Sequence, residues 1–144
     1  MPRPAPRITR NVPIGKRKPN DRLRPRHIAW IKTLPCIRCG RTPCDAAHVR
    51  IGSTGGGTGI KPPDRFTVPL CSSNPAIGYQ GCHSEQHEGE VTFWAELGVD
   101  PVDIALRLWS VTGNDEQGLR TIERAQQAIA LHRRDTRQSV EDVA

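Results

Sequence analysis

Residues 36–39 read CIRC, and residues 82–90 read CHSEQHEGE. Between them stand DAAHVR at 45–50, GSTGGGTG at 52–59 and FTVPLC at 66–71. Cys36 and Cys39 form a CxxC knuckle followed by Gly40, and a turn of that spacing points two sulfurs at one zinc ion. Zinc takes four ligands, and Cys71 and Cys82 supply a second pair across a gap of ten residues. Cys44 is left over. It reads either as a small buried apolar residue or as a replacement ligand in a Cys36/Cys39/Cys44 set. No strand–helix–strand pattern surrounds the knuckle, which argues against a thioredoxin-like redox motif.

Three of the five histidines cluster with the cysteines. His83 and His87 are four apart at the start of a helix expected over 83–97, so both imidazoles fall on one face and can share an ion. His48 lies on a candidate strand, 46–51, and a neutral imidazole can take a proton from water near pH 7. His27 reads as part of a basic arm, and His132 as helix surface. Arg50, Lys61 and Arg65 are candidates for holding a phosphate, because the guanidinium fork matches phosphate oxygens. The glycine-rich loop lacks the GK[ST] ending of a nucleotide-binding P-loop, since Ile60 precedes Lys61 and Pro62 follows it.

Further out, the chain is poor in core-forming residues. Of 144 residues, 35% are apolar, and Trp, Tyr and Phe number 3, 1 and 2. A core that small gains from a metal brace. No apolar run is long enough to span a membrane. The N-terminus has no signal-like stretch, so a cytoplasmic location with reduced thiols is expected. The net charge of +6 sits in the N-terminal arm: nine Lys/Arg against Asp21 alone within the first 26 residues. Such an arm is expected to be disordered and to bind a polyanion, with DNA the leading partner.

The expected organisation is a basic arm over 1–24, a zinc-braced core over 25–97, C-terminal helices over 98–134 and a frayed tail over 135–144. Within the core a short helix is expected over 25–33 and strands over 46–51 and 66–70. Val91 and Trp94 should share the inner face of the 83–97 helix, which Gly98 ends. Asp100-Pro101 gives an N-cap and a first-turn proline, followed by a stripe of Val102, Ala105 and Trp109. The last helix, 116–134, lines up Leu119, Ile122, Ala125 and Ile129. These elements make an α+β fold.

Taken in order, CIRC, AHVR, the glycine-rich loop, KPPD, VPLC and CHSEQH resemble an HNH endonuclease, the ββα-metal class. The run from GIKPPD to CHSEQHEGE is closer to its phage-type, Ref-like subgroup. The likeness covers about residues 35–95. It implies a metal-dependent DNA endonuclease in which His48 is the general base and Asp64 stands at the middle polar position. It also implies that His83 and His87 hold a catalytic ion, while Cys36, Cys39, Cys71 and Cys82 hold a structural Zn²⁺. A site short of carboxylates fits an exchangeable Mg²⁺ or Mn²⁺, and two imidazoles also suit Zn²⁺ or Ni²⁺. By analogy with the subgroup, recombinase-coated DNA becomes a candidate partner. Two departures stand out. Ala47 occupies the place where many members have an acidic or histidine ligand, and Asp64 replaces the usual Asn. On a regular strand Asp45 would face the side opposite His48. The competing expectation is a non-catalytic, zinc-braced nucleic-acid-binding protein or recombination accessory factor, in which the histidines are structural.

Overall fold

The structure, a computed structural model, describes residues 24–52 and 62–143. Most of the basic arm, the glycine-rich segment and Lys61 lie outside the described residues. The rest is an α+β fold: a two-stranded antiparallel sheet with five α-helices around it. No helix among the described residues is long and apolar enough to cross a membrane.

Helix α1 (Arg24–Ile31) leads into the CxxC turn. Strand β1 (Cys44–His48) then pairs with β2 (Thr67–Cys71), with Cys44 opposite Cys71 and His48 opposite Thr67. Every residue of β2 is buried, so it is the central rib of the core rather than a half-solvated edge. Its carbonyl at Pro69 accepts from the Ile37 amide (3.2 Å), which ties the knuckle to the sheet. β1 does not alternate. Cys44 and Ala47 are buried, whereas Asp45, Ala46 and His48 are half-buried.

After β2 comes a helical region that is broken once. α2 (Cys82–Glu88) and α3 (Glu90–Leu97) are separate helices, not one element over 83–97. Gly89 sits at the break with extended φ, and glycine is the weakest ordinary helix former. The restart turns α3 so that Phe93, Trp94 and Leu97 are buried, while Val91, expected inside, is exposed. Gly98 ends α3 in the left-handed conformation, as its position implied. α4 (Pro101–Ser110) opens as expected: the Asp100 carboxylate accepts from the amides of Val102 (2.9 Å) and Asp103 (3.3 Å). Its inner stripe is Ile104, Ala105 and Leu108, with Val102 and Trp109 at the margin.

Helix α5 (Asp115–Val143) is longer than expected. Residues 135–143 are helical rather than frayed, although residues 133–143 are exposed. Ile122, Ala125 and Ile129 face inward as expected, but Leu119 does not; Gly118 does. The Trp30 ring explains the exchange: a Cβ at Gly118 would lie 2.6 Å from its Cζ2. The indole N–H donates to Asp115 at 2.9 Å and locks α1 onto the start of α5. One hydrophobic core runs from Trp30 to Ile129. The helices after residue 98 are therefore part of the core, not flanking additions.

His27 is a correction. It is fully buried, not part of a solvated arm. Its ring nitrogens meet the hydroxyls of Thr112 (2.7 Å) and Thr67 (3.2 Å), and Trp109 packs edge-on at 4.7 Å. Burial pushes its pKa down to about 4, against a small opposing pull from Asp64. His132 is half-buried, so close to Gly98 that a Cβ there would meet its ring at 2.2 Å.

Candidate metal centres

Two clusters of ligand-type side chains lie at opposite ends of one dipeptide, Cys82-His83. The first is the sulfur cluster. The Sγ atoms of Cys36, Cys39, Cys71 and Cys82 all lie within 4.8 Å of one another. Cys39 and Cys71 are 3.6 Å apart, and Cys39 and Cys82 are 3.9 Å apart. A tetrahedron with zinc–sulfur bonds near 2.3 Å has edges of about 3.8 Å, so these four thiols fit one ion. The hydrogen bond from Cys82, then burial working against it, then the amides of Cys39, Cys71 and Arg38, leave the Cys36 thiol at about 5. Burial, with the neighbouring sulfurs, pushes Cys39 up, and the hydrogen bond with Cys36, then burial, pushes Cys82 up. A cation bound among the four sulfurs would neutralise thiolate charge and spread it over the set.

The surroundings are organised around the sulfurs. The Cys82 amide donates to Cys71 Sγ at 3.3 Å, and Tyr79 Oη lies 3.2 Å from the same sulfur. Arg38 reaches Cys82 Sγ at 3.7 Å and pairs with Glu85. Gln126 of α5 donates to the Cys36 carbonyl at 3.1 Å. Residues 72–81 form a loop closed by an Asn74–Tyr79 bridge. The loop folds back on the cluster: a Cβ at Gly81 would lie 2.3 Å from the Cys71 carbonyl oxygen. Cys44 stands apart from the four. It is buried, its thiol donates to the Arg41 carbonyl at 3.2 Å, and burial pushes it up to about 12, which fits a small apolar residue better than a ligand.

The second cluster lies along the other face of α2. The Nε2 atoms of His83 and His87 are 3.1 Å apart. With metal–nitrogen bonds near 2.1 Å, that separation corresponds to an angle of about 95° at a shared ion, a geometry that tetrahedral or octahedral coordination accommodates. Across from them, at the end of β1, His48 Nε2 lies 2.9 Å from Asp64 Oδ1, with both side chains largely buried. A carboxylate can only accept, so Nε2 of His48 carries the proton in this pair. His48, Arg50, Gln86, His87 and Glu90 line a cavity of about 260 Å³.

Of the sequence-derived candidates, His48, Asp64, His83, His87 and Arg50 therefore converge on one region. Arg65 is half-buried, its guanidinium stacked over the Phe66 ring at 4.8 Å. Gln86 and Glu90 of this region were not singled out from the sequence, and Asp45 was placed opposite His48 only for a regular strand. Asp45 Oδ2 accepts from His83 Nδ1 at 2.9 Å. Burial alone would raise the Asp45 carboxyl, but the hydrogen bonds from His83 and Ser72 hold it below the usual range. Gln86, buried on α2, donates to the His48 carbonyl at 3.1 Å. Glu90 accepts from the Arg50 amide at 2.7 Å and fixes the chain just after the strand.

The fold and the sulfur set define a small α+β protein with a four-cysteine centre able to hold a metal ion. By sequence the chain belongs to the family described as "Protein of unknown function (DUF968)", whose profile matches residues 14–109, from the arm through α4. A stretch of 76 residues is 36% identical to "Uncharacterized protein YdfU" of Escherichia coli (strain K12). That match covers 53% of this chain and 19% of the relative, so the matched part is about a fifth of the relative's length. No solved structure matches.

Proposed function

We propose that this protein is a metal-dependent DNA endonuclease of the HNH, ββα-metal type, resembling the phage Ref-like proteins. The observation that carries the reading is the convergence of β1, β2 and α2. It sets His48 and Asp64 facing a helix that presents His83 and His87, beside one small cavity. The order of the motifs along the chain is that of the HNH class, and the four-cysteine centre matches the brace many such proteins carry.

In this reading His48 removes a proton from a water molecule. The water oxygen forms a bond to phosphorus, and the bond from phosphorus to the leaving sugar oxygen breaks. The leaving oxygen takes a proton from solvent. Asp64 holds the His48 ring by accepting from Nε2, so proton uptake falls to Nδ1, and the carboxylate stabilises the imidazolium that forms. His83 and His87 would hold the divalent ion, Mg²⁺ or Mn²⁺ with Zn²⁺ and Ni²⁺ as alternatives. When bound, the ion supplies charge neutralisation at the phosphate and the leaving oxygen. Arg50, at the cavity, is the best-placed phosphate contact; Lys61 and the basic arm add cations from outside the described residues.

The test is a plasmid-nicking assay with a metal series on zinc-loaded protein. Nicking that needs an added divalent ion and disappears in His48→Ala supports the reading. DNA binding with no cutting in any metal would favour the second reading, a zinc-braced nucleic-acid-binding or recombination accessory protein. The four-cysteine centre is equally at home in that class.

A further inference from the structure

Asp45 is held at both carboxylate oxygens. Oδ2 lies 2.9 Å from His83 Nδ1, and Oδ1 accepts from the Ser72 hydroxyl at 2.8 Å. Ser72 follows β2 directly, so the carboxylate bridges from the sheet to the first turn of α2. Residues 45 and 48 both engage α2, Asp45 through its carboxylate to His83 and His48 through its backbone carbonyl, which accepts from Gln86.

The geometry fixes a proton. An ionised carboxylate accepts hydrogen bonds and donates none, so His83 Nδ1 must carry hydrogen. In the neutral ring the lone pair then lies on Nε2, the atom that stands 3.1 Å from His87 Nε2. We propose that Asp45 is a positioning residue for the helix-borne ion site: it fixes the His83 tautomer and ring orientation so that Nε2 is the ligand atom. This inference rests on the reading that His83 and His87 hold an ion. It also accounts for the alanine at position 47, where an acidic ligand was expected. The acidic group is two residues earlier and acts through His83. Carboxylate partners of ligating histidines typically change metal affinity or activity 10–100-fold when removed.

The experiment is a Mn²⁺ titration by calorimetry on zinc-replete protein; thiolates disfavour Mn²⁺, so the sulfur centre does not compete. Asp45→Asn should weaken Mn²⁺ binding by about 10–100-fold, Ser72→Ala by less, and His48→Ala not at all. His83→Ala should lose binding at least as fully as Asp45→Asn. Long-range ¹H–¹⁵N spectra of Mn²⁺-free wild type should find His83 protonated at Nδ1, and Asp45→Asn should redistribute that proton. Wild-type affinity in Asp45→Asn, with binding lost in His83→Ala, overturns the role of Asp45 alone. Wild-type affinity in His83→Ala overturns the ion site and the inference together. If Asp45→Asn does not fold, the wild-type spectrum decides: His83 protonated at Nε2 refutes the assignment.

Discussion

The sulfur cluster and the histidine cleft are built from the same helix but obey different rules. The first is closed: three of its four cysteines are buried, and its neighbours, Tyr79, Arg38 and the Cys82 amide, all point at sulfur. The second is open, with His87 exposed and a cavity beside it. Closed four-ligand sites hold a fold together, whereas sites that keep ligand positions vacant do chemistry. The difference teaches that a small core can concentrate cohesion in one cluster and leave the other exposed beside a cavity, where the proposed chemistry would take place.

The largest effect should come from the closed side. Cys36→Ser, or chelation of zinc, removes a centre that contributes on the order of 10 kcal/mol of apparent binding free energy. The melting temperature should collapse, with loss of helical signal from α2 onward, and one equivalent of zinc should be released on acid or heat. An unchanged melt after zinc removal would erase the contrast between the two clusters.

Next, His48→Ala should lower cleavage by roughly 10²–10⁴-fold while zinc content, melting temperature and Mn²⁺ affinity stay at wild-type values. A falling melting temperature would make His48 a structural residue and move the open cluster into the closed category.

A third test uses acid. His27 is held near 4 in the folded protein against an unperturbed value of 6.5. The unfolded chain therefore binds a proton that the folded chain refuses between those limits. Stability should be full above about pH 6.5, decline as pH falls, and level off below about pH 4, by roughly 3 kcal/mol in total. Denaturant melts across this range check it, with zinc release followed separately by a chelating dye. His27→Gln should flatten the slope without changing zinc retention.

The smallest effects separate two glycines. Gly81→Ala drives a Cβ into the Cys71 carbonyl and should cost about 1–3 kcal/mol with weaker zinc retention. Gly89→Ala, with nothing within 4 Å and extended φ, should change stability by less than about 0.5 kcal/mol.

Much of this was legible from residue types and spacing. The cysteine quartet followed from zinc's need for four ligands, and α4 from its Asp-Pro start. What stayed hidden depended on contacts between distant segments. Whether Asp45 could reach the ion site turned on the regularity of β1, which local spacing does not encode, and the burial along β1 is irregular. His27 was masked by the arginines around it, although its environment comes from Thr67 and Thr112, 40 and 85 residues away. Leu119 lost its inward place to Gly118 because of one indole ring on α1. The helix break at Gly89 needed the position of Glu90 against the Arg50 amide, which no local pattern encodes.

Cys82 and His83 are consecutive residues, and that adjacency has a consequence for how the protein matures. The rotation of α2 about its axis is set where Cys82 joins the other sulfurs, so the direction of His83 is inherited from the brace. If the sulfurs hold zinc, as proposed, a chain without it would lack the anchor that aims its imidazoles. On the nuclease reading, newly made protein is therefore inert toward the genome around it until the metal arrives, and loss of zinc disarms it again. On the same reading, ions at the two clusters would be coupled through one peptide bond, so each should raise the affinity for the other by the same factor.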